Sequence, residues 1–304
     1  MDSPLNRRHV PQMQAVEPAQ LAAAYKECET LAHSHYENFP VASKLLPKHL
    51  RPAVAVIYTF ARRADDIADE GQLASSDRLT KLAQYRTELR ALEQGQISHT
   101  PLFIALADVI SRHALPIQLF HDLLTAFEHD VNVQRYADQE EVLSYCSYSA
   151  NPVGRLMLHL FRQVTPKNLE QSDAICTALQ LINFLQDMSQ DYHEMGRIYL
   201  PESLLRRFGV EERHFRDRIT DDGMRQCFAV AVAQARALMI QGAPLAWTIK
   251  GRFGWELRFI VSGGLRVLAS LATLRDDVFS RPRLELTDWL KIGLTAVRMH
   301  PPSE

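Results

Sequence analysis

Tyr58-Thr59-Phe60-Ala61-Arg62-Arg63-Ala64-Asp65-Asp66-Ile67-Ala68-Asp69-Glu70 is the stretch whose reading decides the fold. On a helix advancing about 100° per residue, Tyr58, Arg62, Asp65 and Asp69 fall within roughly 60° of one another. An echo runs from Gln180 to Asp191, QLINFLQDMSQD. There Gln180, Asn183, Asp187 and Asp191 fall within roughly 80°. The spacing therefore predicts two helices, each with a narrow polar stripe on an otherwise apolar surface.

Carboxylates at i and i+4 repel, so a pair that faces a core needs a cation as partner. Two such pairs brought face to face make an oxygen-rich cleft. Mg²⁺ suits it, because that ion takes one or two carboxylates, keeps several waters and completes its octahedron with phosphate oxygens. Arg62 adds a guanidinium fork able to grip a phosphate at two points. The implied ligand is a diphosphate held by metal ions on Asp65, Asp69, Asp187 and Asp191, with Asn183 as a further metal or phosphate contact. Asp66 and Glu70 lie off the first stripe and are expected to face solvent or pair between helices.

The chain of 304 residues is 46% hydrophobic and 23% charged, the balance of a soluble globular protein with a large core. We read residues 1–18, polar and proline-bearing, as a mobile arm, and 19–304 as one domain. The net charge is −2, which gives no electrostatic case for nucleic acid. Cys28, Cys146, Cys176 and Cys227 stand far apart, as reduced core cysteines of a cytoplasmic protein do. The N-terminus has no apolar signal core, and purely apolar runs such as Ala53 to Tyr58 are far shorter than the ~20 residues that span a bilayer. A greasy substrate would still allow peripheral contact with a membrane.

Elsewhere the chain reads as helix after helix: Ala19 to about Tyr36, Ser76 to Gln94, Thr100 to His113, Pro116 to about His129, Asp138 to Phe161, Lys167 to about Glu194, Asp221 to about Gln241, Trp255 to about Phe279 and Thr287 to Arg298. Proline and glycine provide the punctuation. Pro52 suits an early helical position, while Gly71, Gly95 and Gly196 close helices. Pro152, in YCSYSANPVG, is expected to kink its helix and open a cavity, and Gly154 to admit a close neighbour. Sustained alternation is absent, so the fold class is all-α.

Some features have blander readings. Tyr145 is by default a packing residue. Arg197 and Tyr199 follow the second aspartate pair, and that nearness makes phosphate binding the better reading of Arg197. His121-Asp122 and His129-Asp130 resemble fragments of metal phosphohydrolase sites, but no further cluster accompanies them. Neither a phosphate-binding glycine loop nor a G-x-S-x-G elbow is present.

Taken as a set, the motifs resemble those of the squalene/phytoene synthase family over about residues 30 to 285. YTFARRADDIADE and QLINFLQDMSQD are similar to its two aspartate-rich motifs, YCSYSANPVG to the segment whose tyrosine, here Tyr145, lies near the reacting carbons, and RIYLP to the stretch giving Arg197 and Tyr199. The resemblance implies an isoprenoid synthase-type helical bundle around a deep apolar cavity, with Mg²⁺ and an isoprenoid diphosphate at its mouth. It implies catalytic roles for Tyr58, Tyr145, Asp65 and Asp187. Substrate binding would fall to His35, Asn38, Phe39, Arg62, Gln180, Asn183, Arg197 and Tyr199.

The sequence departs from the family at three places: Tyr36 interrupts a serine-bearing motif, Gln186 stands where relatives have arginine, and the tyrosine of the family's penultimate helix has no counterpart near Gly263-Gly264. ENFPVAS together with Gln186-Asp187 is similar to the hydroxysqualene synthase branch, which converts presqualene diphosphate to hydroxysqualene without a nicotinamide cofactor. Condensation of two isoprenyl diphosphates to presqualene diphosphate, squalene or phytoene is the alternative within the family. A non-catalytic scaffold relative is the alternative outside enzymology. A monomer or homodimer is expected.

Overall fold

The computed structural model describes residues 16–34, 46–69, 73–282 and 286–297. Fifteen helices form among them, with no strand: α1 (Pro18–Ser34), α2 (Arg51–Asp69), α3 (Ser75–Glu93), α4 (Pro101–His113), α5 (Gln118–Asn132), α6 (Gln139–Ser149), α7 (Asn151–Leu160), α8 (Pro166–Gln186), α9 (Met188–Met195), α10 (Glu202–Arg207), α11 (Glu212–Arg216), α12 (Asp222–Gly242), α13 (Pro244–Thr248), α14 (Gly251–Leu271) and α15 (Leu286–Val297). Residues 1–15, most of the expected N-terminal arm, lie outside the described residues, as do Glu70 and Gly71.

Local chemistry sets the boundaries. Asp138, Thr165 and Asp221 accept the backbone N–H three residues on, at 3.0, 3.1 and 2.8 Å, capping α6, α8 and α12. Gly95 (φ 74°) and Gly196 (φ 68°) take the left-handed conformation that ends α3 and α9, which a Cβ would penalise.

Two apolar cores flank α7. In the first, α1 to α5 bury Phe60, Phe103, Phe120 and Leu124. In the second, α8, α12 and α14 bury Ala178, Met239, Val261 and Leu268. Met157 and Phe161 pack against both. Each fully buried Leu or Phe contributes about 1.5–3 kcal/mol, so the two cores dominate stability. α8 is the central rod, touching α6, α7, α9, α12, α13 and α14. Its closest neighbour is α12, where a Cβ on Gly242 would sit 2.6 Å from the Gln171 carbonyl. The stretch Asp222–Thr248 has the length and hydropathy of a membrane span. Here it is α12 and α13, and α12 packs against α8.

Three predicted helices differ in extent. The one expected over Asp138–Phe161 is two, α6 and α7, because Pro152 lacks the N–H needed to continue the ladder and starts a new helix instead. The one expected over 167–194 bends at Asp187 (φ −108°, ψ 11°), which separates α8 from α9. The one expected to reach Phe279 stops at Leu271.

Candidate active site

The bend at Asp187 keeps the second stripe intact. Asp187 N–H still donates to the Asn183 carbonyl at 2.9 Å, and Asp191 N–H to the Asp187 carbonyl at 2.8 Å. Asp191 therefore remains one turn beyond Asp187, now on the short helix α9. Asp69 is the last residue of α2. Arg197, just past the Gly196 turn, lies between the two.

Arg197 is 7% exposed. Its guanidinium takes Asp69 in a fork, Nη2 to Oδ1 at 2.6 Å and Nη1 to Oδ2 at 3.4 Å. Nη2 also donates to the Asp130 carbonyl at 2.8 Å, and the Arg197 N–H donates to the Asp191 carbonyl at 3.0 Å. One cation thus ties together α2, α5 and α9. Burial opposes its charge, but the Asp69 hydrogen bond and the nearby anions hold it protonated.

The carboxylates register their crowding. Burial, then Asp69, pushes Asp65 up to about 6, against the pull of Arg62 and Arg197. Burial and Asp187 push Asp191 up to about 7, with Asp69 adding to the rise from across the cleft. The link between the two stripes that the structure shows is Arg197, whose side chain holds Asp69 and whose N–H donates to the Asp191 carbonyl. Burial raises Asp187 too, opposed by Arg281, whose Nε lies 3.0 Å from Oδ1 as an ion contact without hydrogen-bond geometry. The donor set is all oxygen, which suits a hard cation. Among the described residues, however, no three His, Cys, Asp or Glu side chains form a ready-made cage. An ion here would take one or two carboxylates and need further oxygens from water or ligand.

Arg62 lies beside Asp65, Nη1 3.5 Å from Oδ2, and its Nε is also 2.7 Å from Asp66 Oδ1, so Asp66 pairs within α2 rather than facing solvent or another helix. A long side chain reaches i+4 more easily than its own stripe suggests, so Asp66 orients the guanidinium. Tyr58 is half-buried one turn before it, its hydroxyl pKa raised by burial and lowered by Arg62.

Beneath the carboxylates lies an aromatic floor. Phe184 and Tyr199 stack 3.7 Å apart at 5°, and Tyr136 and Tyr145 close the group with centroids 5.7 Å apart. Tyr145 is buried, as packing predicts, but its hydroxyl also donates to Asp130 Oδ2 at 2.9 Å. Burial raises Asp130 to about 7, and its other oxygen has no hydrogen-bond partner. Sequence reasoning set Asp130 aside with the His-Asp dipeptides and missed Tyr136 and Phe184. The signal was available for Asp130: it extends the buried stripe Leu123, Ala126 of α5 by one turn.

An apolar cavity of about 570 Å³ runs between α7, α8, α14 and α15. On α8 it is lined by Ser172, Ile175, Cys176 and Leu179. Ser172, Cys176 and Leu179 share one helical face with Asn183 and Asp187, and Leu179 is roughly 6 Å along the axis from Asn183. The polar stripe thus sits above the cavity on the same rod. Gly154 forms part of the wall, and a Cβ there would meet Ser172 Oγ at 2.4 Å. Asn183 is exposed and Gln180 half-buried. His35, Asn38 and Phe39 lie outside the described residues, as does Tyr36.

The comparisons agree with this geometry. The profile for squalene/phytoene synthase matches residues 32–289. The chain is 36% identical over 252 residues to a hydroxysqualene synthase of Rhodopseudomonas palustris, covering 82% of this chain and 84% of that one. It is also 36% identical over 228 residues to one of Zymomonas mobilis, covering 74% and 75%. The crystal structure of squalene synthase HpnC from Alicyclobacillus acidocaldarius superposes with a TM-score of 0.77 at 38% identity, covering 84% of this chain and 95% of that one. A dehydrosqualene synthase structure at 22% identity shares the fold, with a TM-score of 0.79 over 91% and 96% of the two chains. From the two aspartate stripes, the apolar cavity along α8 and these matches together, the chain belongs to the squalene/phytoene synthase family.

Proposed function

We propose that this chain is a hydroxysqualene synthase, converting presqualene diphosphate and water to hydroxysqualene and diphosphate. The observation that carries the reading is the Arg197 tie between Asp69, at the end of the first stripe, and the Asp191 carbonyl of the second, with an apolar cavity further along the Asn183 face of α8. The similarity to hydroxysqualene synthases supports this reaction over condensation of two diphosphates. Gln186 stands in the chain next to Asp187, where the resemblance expects arginine, although Arg281 comes within 3.0 Å of Asp187 from elsewhere in the chain.

In this reading Asp65, Asp69, Asn183, Asp187 and Asp191 would hold Mg²⁺, which supplies charge neutralisation for the leaving diphosphate when bound. Arg62, steered by Asp66, and Gln180 bind phosphate oxygens. Arg197 holds Asp69 in place, and donors fixed in advance favour the transition state because they need no reorganisation. The carbon skeleton lies in the cavity, where water is scarce. Phe184, Tyr145 and Tyr199 form an aromatic cluster beside Arg197 and Asp130, whose ring faces would suit a carbocation. Departure of diphosphate breaks the C–O bond and leaves a cyclopropylcarbinyl cation, which rearranges with opening of its ring. One water then captures it, giving the alcohol, and the proton released passes to the departed diphosphate. No reductant is needed. We place the enzyme in the cytoplasm, with residues 19–304 as one working unit and a complete site in each copy, whether monomer or homodimer.

The test is incubation of purified protein with presqualene diphosphate and Mg²⁺ and without NADPH, with products resolved by chromatography and mass spectrometry. Hydroxysqualene is expected. Unchanged substrate, or squalene formed only with NADPH, overturns the assignment. Separate incubations with farnesyl and geranylgeranyl diphosphate reveal the condensing alternatives. A scaffold relative would show no Mg²⁺-dependent diphosphate binding by calorimetry.

A further inference from the structure

The helices that wall the far side of the cavity carry an outward face the reaction does not use. Arg266 on α14 binds Asp288 on α15 at 2.6 Å, and Ile292, one turn further, lines the cavity with Phe259 and Gly263. The two helices are therefore antiparallel, so the end of α15 lies over the start of α14. Asp288, Ile292 and Ala296 point inward and are buried. Leu294 and Val297 point out, 71% and 64% exposed. On α14, Trp255 and Phe259 are one turn apart and 38% and 39% exposed. Phe259 is both a wall of the cavity and a surface residue, so the cavity reaches solvent within this apolar face.

The exposed charges on these two helices and at the start of α14 are cations. Lys250, Arg252 and Lys291 are exposed. Arg258 lies over the Trp255 ring, 4.8 Å from its centroid, and holds the indole in place. The carboxylates of α14 and α15 are Glu256, half-buried on the cavity wall, and Asp288, consumed by Arg266. An indole beside cations, on a face of exposed aliphatic and aromatic side chains, matches the interface of an anionic bilayer, where rings enter at the headgroup level and cations meet phosphate. The contrast with the chain's net charge of −2 makes the local excess of cations meaningful.

We propose that the outward face of α14 and α15 docks on an anionic phospholipid surface, so that the apolar cavity opens toward the acyl chains rather than toward water. This interaction stands apart from the reaction assigned above, since it needs no turnover. The test is flotation of the full-length protein with vesicles of phosphatidylcholine alone and of phosphatidylcholine with about a third phosphatidylglycerol. Binding to the anionic vesicles is expected, weakening as salt rises. The double variants Trp255→Ser/Leu294→Ser and Arg252→Glu/Lys291→Glu should each bind at least tenfold more weakly. Both should retain the wild-type circular dichroism spectrum and turnover of substrate in detergent micelles. Equal, weak binding to both vesicle types overturns the proposal, as does wild-type binding by both variants. A dimer in analytical ultracentrifugation that the first variant dissociates, without vesicle binding, would make the face a self-association surface and overturn it too. Loss of vesicle binding with hydroxysqualene formation intact would fault this surface alone.

Discussion

Replacing Arg197 with Met keeps most of the stem but removes the charge that joins three helices. Breaking a buried ion pair by deleting one partner costs about 3–5 kcal/mol. Asp69 keeps a side-chain exposure of 26%, so water recovers part of that loss. The Asp130 carbonyl also loses its 2.8 Å donor, at a cost of about 1–3 kcal/mol if it stays dry. We expect a net loss of about 3–4 kcal/mol, read by urea unfolding, and a fall in Tm on the order of 5–10 °C. Because Arg197 pulls down the pKa values of Asp65, Asp130 and Asp191, the penalty should be larger at pH 8 than at pH 5. Arg197→Lys restores charge without the fork and should recover less than half of the loss. A penalty below about 1 kcal/mol, or one independent of pH, would refute the placing of Arg197 as the electrostatic tie of the site.

Three other outcomes follow from the same geometry. Asp65→Asn and Asp187→Asn each remove one ionised oxygen donor and should lower turnover at least a hundredfold, with unchanged circular dichroism; retained activity in both would remove the basis for a metal–diphosphate cleft. Asp191 is raised from an ordinary 3.8 to about 7, so without divalent cation it costs the fold stability that grows as pH rises from about 4 to about 7; Asp191→Asn should therefore melt higher than wild type at pH 8, with the advantage gone near pH 4, and a difference of the opposite sign would contradict the burial and repulsion inferred here. Gly242→Ala drives a methyl to 2.6 Å from the Gln171 carbonyl and 2.9 Å from the Ile175 nitrogen, both backbone atoms of α8, and should cost about 1–3 kcal/mol in urea unfolding; a neutral result would mean that α8 and α12 slide apart freely.

The sequence alone determined what depends on neighbours within a few turns. Hydrophobic periodicity, proline and glycine placed most of the helices, and i, i+4 spacing put Asp65 with Asp69 and Asp187 with Asp191 on shared faces. Even the bend at Asp187 left that second spacing intact, because its backbone hydrogen bonds run across the bend. Residues that meet from distant parts of the chain were decided by tertiary structure. Arg197 reaches Asp69 across 128 positions, and Asp187 meets Arg281 from the α14–α15 connection. Asp130 enters the site only because α5 packs beside α6, bringing its carboxyl to the Tyr145 hydroxyl. Local spacing fixes the direction of a side chain from its own helix. Which cation or hydroxyl waits there depends on how the helices pack, and no short-range pattern in the chain encodes it.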